Sequence, residues 1–201
     1  MKAVVLMLVI AVYPHLAGCQ GSVQHLSPYE EQGRFGYRDR AGRVSIQPQY
    51  MMAGEFSDEG LAAVLDSDGW AYIDRQGRVV IRPYVFDNGP DYFSEGLARF
   101  SIDGKFGFFN SYGEVVIGPS YDFAYPFSEG LAAVCSGCSP AEDGEHILIK
   151  GGRFGYIDRH GNAAIPLRYD EARPFRGGKA DVMLDSVWSC IDLEGQDSEC
   201  D

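Results

Sequence analysis

Short apolar runs alternate with polar punctuation along almost the whole chain, and they do so on a repeated plan. An aromatic, a small residue and a second aromatic open each copy, at Phe35, Trp70, Phe106 and Phe154, with a clipped copy at Trp188. A polar turn follows, then a β-branched run such as Val79-Val80-Ile81, then a proline at Pro48, Pro83, Pro119 or Pro166. Phe56 to Val64 closes the first copy, with echoes at Phe93 to Phe100, Phe127 to Val134 and, more loosely, Phe175 to Val182. Self-similarity at a period of about 35 residues marks a repeat architecture, in which each unit buries its apolar surface only by stacking on its neighbours. The expected fold is all-β, an array of three-stranded antiparallel meanders, open and solenoid-like, with a closed propeller-like ring as the alternative. Three strands per unit, and no third strand after Gly195, favour the open array, because propeller blades usually have four.

The polar turns share one pattern. Asp39 and Gly42, Asp74 and Gly77, Asn110 and Gly113, Asp158 and Gly161, and Asp192 and Gly195 each place Asp or Asn three positions before Gly. An Asp or Asn at the first position of a type I turn accepts hydrogen bonds from the amides ahead of it, and Gly takes φ > 0 to form a bulge. That is a three-residue hairpin loop, so the repeated carboxylates are turn formers and no metal or catalytic cluster is assigned to them. The loop sets the register, placing Arg38 opposite Val44, Gly36 opposite Ile46, Ile73 opposite Val79, Phe109 opposite Val115 and Ile157 opposite Ala163. One face is then aliphatic and the other aromatic, which implies hairpins covered on both sides. The small residue at Gly36, Ala71, Gly107, Gly155 or Ser189 is expected to leave room for an adjoining ring.

The chain start has a different character. Ala3 to Val12 is an unbroken apolar run behind Met1-Lys2, too short to cross a hydrocarbon core of roughly 30 Å, and it suits the h-region of a secretory signal. Leu16-Ala17-Gly18-Cys19 resembles the bacterial lipobox, which implies cleavage before Cys19 and lipidation of its thiol. Several acyl chains on one cysteine hold a protein stably at a membrane. Gln20 stands where an Asp resembles an inner-membrane retention signal, so the outer membrane is favoured in a host that has one. The expected organisation is a signal peptide over 1–18, a polar tether over 19–33 and a repeat domain over 34–201. Removing the signal takes one lysine and no acid from a chain of net charge −12, leaving 16 basic against 29 acidic side chains. Such a chain is repelled by phosphate backbones, so nucleic acid is not an expected partner.

The full pattern of aromatic-Gly-Tyr-Ile-Asp, Gly, Val-Val-Ile, Pro, Tyr-Asp and Phe-Ser-Glu-Gly-Leu-Ala-Ala-Val resembles the WG repeat family, also called KWG repeats, over roughly Arg34 to Gly195. The defining Trp-Gly dipeptide is altered here: Phe precedes Gly at positions 35, 106 and 154, while Trp70 and Trp188 precede Ala71 and Ser189. The resemblance implies bacterial surface or secreted proteins with binding roles, and no shared catalytic residues.

One unit is longer than the rest. Gly113 to Gly161 spans about twelve residues more than the neighbouring intervals, and the excess is Ser136 to Gly152, expected as a loop emerging on one face. Its acidic run makes Glu142, Asp143, Glu145 and His146 candidates for binding. With Cys19 lipidated, Cys135, Cys138, Cys190 and Cys200 form an even set in an oxidising compartment. Three pairings exist, and Cys135 with Cys138 and Cys190 with Cys200 is favoured. Cys190 faces Ser198 in register, so Cys200 is a diagonal neighbour at about 7–8 Å, long for a disulfide. His25, His146 and His160 stand in no nucleophile elbow, zinc helix or phosphate loop. Asp66-Ser67-Asp68-Gly69 lacks the distal glutamate of a calcium loop. No catalytic residue, metal or cofactor is assigned. The expected function is a noncatalytic binding or scaffold module at the cell envelope, with a protein or glycan partner. A thiol-redox role for Cys135 and Cys138 is the rival.

Overall fold

The computed structural model describes residues 25–143 and 146–200, and among them there is no helix. Six small antiparallel sheets follow one another along the chain. The first holds β1 (Leu26–Glu31), β2 (Arg34–Asp39) and β3 (Val44–Tyr50). The second holds β4 (Met52–Ala53), β5 (Ala62–Asp66), β6 (Gly69–Ile73) and β7 (Val79–Ile81). A two-stranded hairpin of β8 (Val85–Phe86) and β9 (Gly89–Pro90) comes next. The sheet after it holds β10 (Leu97–Ile102), β11 (Lys105–Asn110) and β12 (Val115–Tyr121). Then come β13 (Phe123–Ala124), β14 (Leu131–Asp143), β15 (His146–Asp158) and β16 (Ala163–Tyr169). The last sheet holds β17 (Glu171–Ala172), β18 (Lys179–Leu184), β19 (Val187–Asp192) and β20 (Asp197–Ser198).

The sheets run out of phase with the sequence repeat. The closing strand of one copy pairs with the opening strand of the next, as β5 with β6 in the register Ala62–Ile73 to Asp66–Gly69. Two-residue hairpin loops impose this. Gln32-Gly33 (φ 51° and 74°) and Asp103-Gly104 (51° and 75°) have positive φ at both central positions, and Asp185-Ser186 does the same. That geometry matches the twist of adjacent strands and fixes their pairing locally. Two expectations are corrected as a result. Three sheets have four strands, because a two-residue strand adds to the outer edge, and Leu26–Glu31, expected as tether, is strand β1, with Leu26 in the core at 2 % exposure. The strand count therefore no longer separates an open array from a ring. Core packing does: among the described residues three of the four buried clusters join consecutive sheets, the fourth joins the β10–β12 sheet to the β4–β7 sheet past the small hairpin, and none joins the first to the last.

All five Asp/Asn-to-Gly segments form one turn. Asp39 Oδ1 accepts from the amides of Ala41 and Arg43 at 2.9 Å each, and Asp158 Oδ1 accepts likewise from His160 and Asn162. Asn110 makes the same pair of bonds, to Tyr112 and Glu114. Bonds to Arg43 hold the Asp39 carboxyl below the usual carboxylate range, and bonds from Asn162 do so for Asp158. A depressed native pKa contributes stability above the unfolded value of about 3.9, which is lost as pH falls through the native one. Denaturation midpoints are therefore expected to fall between pH 5 and pH 2, and Asp39→Asn with Asp158→Asn should flatten that slope; an unchanged slope would contradict it.

The register at the turn is as expected, Arg38 with Val44 and Ile157 with Ala163, but it slips one step later. Tyr37, not Gly36, faces Ile46, because a bulge carries the return strand across the glycine. A Cβ on Gly36 would lie 2.4 Å from the Ile46 carbonyl oxygen, and one on Gly155 would lie 2.5 Å from that of Ile165. The small residue thus makes room for backbone at Gly36 and Gly155. At Gly107 a Cβ would meet both the Ile117 carbonyl oxygen at 2.5 Å and the Phe100 ring at 2.7 Å, so there the expected adjoining ring is present as well. Where it is Ala71 or Ser189, the return strands β7 and β20 are short, whereas β3, β12 and β16 run seven residues, with Pro48, Pro119 and Pro166 inside them and not at their ends. Gly155→Ala is expected to strip the Phe154–Tyr169 pairing and speed amide exchange at the end of β16; unchanged exchange there would contradict the close approach. The return strands are also outer strands. Val44, Val79 and Val115 are half exposed, so only the central strands are covered on both faces.

A ladder joins the later units. Ser94 Oγ donates to the Phe127 carbonyl and Ser128 Oγ to that of Phe175, at 2.6 and 2.7 Å. Glu95 accepts from the Gly130 amide, and Glu129 from those of Gly177 and Gly178.

Candidate functional site

Departures from a repeated plan stand out against the units that keep it. In three sheets a short outer strand (β4, β13 or β17) pairs on the closing strand. In the β10 to β12 sheet that strand is missing, and the chain folds on itself as the β8–β9 hairpin. Asp87 and Asn88, with φ of 49° and 64°, make its turn, and Trp70 Nε1–H donates to the Asn88 carbonyl at 3.0 Å.

Arg99 is the second departure, occupying the place of Ala63 and Ala133 in the Leu-Ala-Ala-Val segment. It is 3 % exposed and its partner Asp91 2 %. Nε and Nη2 donate to Asp91 Oδ2 and Oδ1 at 2.9 and 2.7 Å, Nη1 donates to the Ala124 carbonyl, and the Arg99 amide donates to Asp91 Oδ2. A buried ion pair persists only with its remaining donors satisfied, and this one meets that condition. The guanidinium lies 5.0 and 5.7 Å from the ring centres of Tyr84 and Phe86, so it also fixes those rings from beneath.

The third departure is Ser136 to Gly152. The sequence reads it as a loop; it is a ribbon that prolongs β14 and β15 from Ser136–Arg153 out to Asp143–His146. Gly137, Gly151 and Gly152, all at positive φ, stand at its root, and the Gly137 amide donates to Asp122.

These three features meet around one groove of about 660 Å³. Tyr84, Phe86, Tyr92 and Phe93 form its wall on the hairpin side, over the Arg99–Asp91 pair. Phe123 and Tyr125, which meet edge-on at 4.9 Å, and Leu148 and Ile149 of the ribbon form the other. Tyr92 is 67 % exposed and Phe86 50 %. Burial pushes the Tyr125 phenol up in pKa, so it stays a neutral donor. The size and the mostly apolar lining are those of a ligand pocket. The groove was not legible as a site in the sequence; the signals were the extra residues between Pro83 and Phe93 and the Arg in an Ala position.

The cysteines pair as Cys135–Cys138 and Cys190–Cys200. Cys190 does face Ser198, but the Cα atoms of Cys190 and Cys200 are 5.4 Å apart, nearer than the diagonal estimate, since the paired strand ends at Ser198. Cys135 and Cys138 are buried in the core that joins the last two sheets. Asp181 lies with Cys190 and Cys200, their ligand atoms within 4.8 Å of one another. Thiolate is the metal ligand, so with both sulfurs in a disulfide only the carboxylate is left to bind, and Arg173 pairs with that. Of the acidic candidates, Glu142 stands opposite Ile147 and Asp143 opposite His146 at the ribbon's far end. Glu145 and Cys19 lie outside the described residues.

A family model described as WG containing repeat matches residues 35–70, 70–106, 106–137 and 154–188. The chain belongs to the WG-repeat family. The unmatched interval between the third and fourth WG repeats is the ribbon. No curated protein matches the chain. Among solved structures it is similar to one titled a crystal structure of the eukaryotic initiation factor, at 13% identity and a TM-score of 0.40. That match covers 87% of this chain and 52% of the other, so the WG-repeat chain spans about half the length of that structure.

Proposed function

We propose that this WG-repeat protein is a noncatalytic binding module, held at the cell envelope by lipid on Cys19, and that it takes its partner in the aromatic groove. The observation that carries the reading is the meeting of three departures from the repeat, β8–β9, Arg99 and the ribbon, at one concavity. In a repeat array, insertions gather on the face that binds. The protein or glycan partner expected from sequence is sought here rather than along the acidic tip alone. Burial of both sulfurs of Cys135–Cys138 counts against the rival thiol-redox role, which needs an accessible, activated thiolate.

Capture from envelope extract tests the reading. Phe86→Ala with Tyr92→Ala should lose the partner that the native protein retains; retention would move the site elsewhere. For the anchor, a labelled fatty acid should mark the native chain and not Cys19→Ala. Label on the variant would refute lipidation.

A further inference from the structure

Within the reading that the groove is the binding site, we infer that its ligand is a proline-rich, extended segment of a partner protein. The charge state of the groove comes first. Its one cation and one anion neutralise each other: every guanidinium nitrogen of Arg99 is engaged, and both Asp91 oxygens accept from Arg99. Ser94 Oγ is spent on the Phe127 carbonyl. Among the described lining residues no other charged side chain is left as a counter-ion for a ligand, and a chain of net charge −12 disfavours an acidic segment further.

What remains is ring faces and phenols. The hydroxyls of Tyr84, Tyr92 and Tyr125 have no partner among the described residues, and none is a sealed polar atom. A phenol donates and accepts as a sugar hydroxyl does, so a saccharide is the competing occupant. It lacks here the free carboxylate or guanidinium that would grip neighbouring hydroxyls in pairs, because Asp91 and Arg99 are consumed by each other. A proline-rich segment has the matching deficit. It lacks amide donors at each proline, presents carbonyl acceptors to phenol donors, and lays flat pyrrolidine faces on aromatic rings. Its polyproline II conformation is extended beforehand, so little ordering cost is left at binding.

The test uses the full folded domain and an array of synthetic peptides with proline at every third position and Leu, Val, Lys or Arg between, read by fluorescence anisotropy. Chitohexaose and cellohexaose serve as competitors. The expected result is saturable peptide binding, weakened at least about 10-fold by Phe86→Ala with Tyr92→Ala, consistent with aromatic anchors dominating an interface, and not displaced by either oligosaccharide. Both rings are half exposed or more, so the variant should stay folded with an unfolding midpoint only modestly below the native one, which is measured beside the binding curves. Peptide binding that survives the substitutions, or no peptide binding at all, overturns the inference. Saccharide binding that the same substitutions abolish overturns the ligand class and leaves the groove as the site. Loss of envelope partner capture in the variant, without peptide binding, separates the two in the same way.

Discussion

Arg99→Ala is expected to destabilise the domain by about 3–5 kcal/mol, because it leaves the Asp91 carboxylate buried without its partner. Asp91 is 2 % exposed and both of its oxygens accept from Arg99, so no water replaces the lost donors without opening the structure. The β8–β9 hairpin should loosen with it, since Asp91 ties that hairpin to the edge of β10 through the Arg99 amide. Removing both charges tells a different story. Arg99→Met with Asp91→Leu should recover part of the stability, because no unpaired charge is left buried, but not all of it, because the Arg99 amide loses its carboxylate acceptor and the Ala124 carbonyl its guanidinium donor. Binding in the groove should not recover with it, because the Tyr84 and Phe86 rings lose the cation beneath them. Denaturant titration of the three proteins checks the first part. A cost below about 1 kcal/mol for the single variant, the range of an exposed pair, would mean that the pair is solvated.

Phe175→Ala should cost about 3–5 kcal/mol, the range for removing a buried aromatic ring. The ring is fully buried 4.8 Å from Tyr156, in the cluster that joins the last two sheets, and its backbone carbonyl accepts from Ser128. The same arrangement recurs with Phe56 on Tyr37 and Phe127 on Phe108. In two of the units the phenol also donates across the connection, Tyr37 to the Gly54 carbonyl and Tyr156 to that of Arg173, each at 2.8 Å. One sequence repeat therefore staples two sheets together, which is why its phase differs from theirs. Exchange protection should fall in both β15 and β18. Loss confined to one sheet would contradict a shared core.

The turns and the first pair beyond each were legible because Asp or Asn and Gly at fixed spacing encode their own hydrogen bonds. Asp39 and Asn110 form the same turn despite different charge. The phase of the sheets was also in the sequence, in Gln32-Gly33 and Asp103-Gly104, but a two-residue loop is a weak mark beside a strongly repeated turn. The bulge over Gly36 was hidden, since glycine beside an aromatic serves equally for a neighbouring ring and for a passing carbonyl. The groove was least legible of all. It is assembled from residues within 84–99, 123–126 and 148–149, and only the fold brings a hairpin from the second copy beside a ribbon from the third. Arg99 in an alanine position was the one local signal, and its meaning depends on an Asp91 that faces it across a connection no periodicity describes.

The central claim is that each sheet holds its shape by burying residues of its neighbours. Phe109 of the central strand β11 packs with Tyr72 of the β4–β7 sheet, and Phe108 lies in the cluster shared with the β13–β16 sheet. The most direct measurement is the solution NMR spectrum of a peptide spanning residues 93–122, which contains β10 to β12 and neither neighbour, recorded beside the intact domain. Dispersed strand shifts in the domain and random-coil shifts in the peptide are the predicted result. A peptide that keeps the native Phe100–Gly107 pairing alone would contradict it.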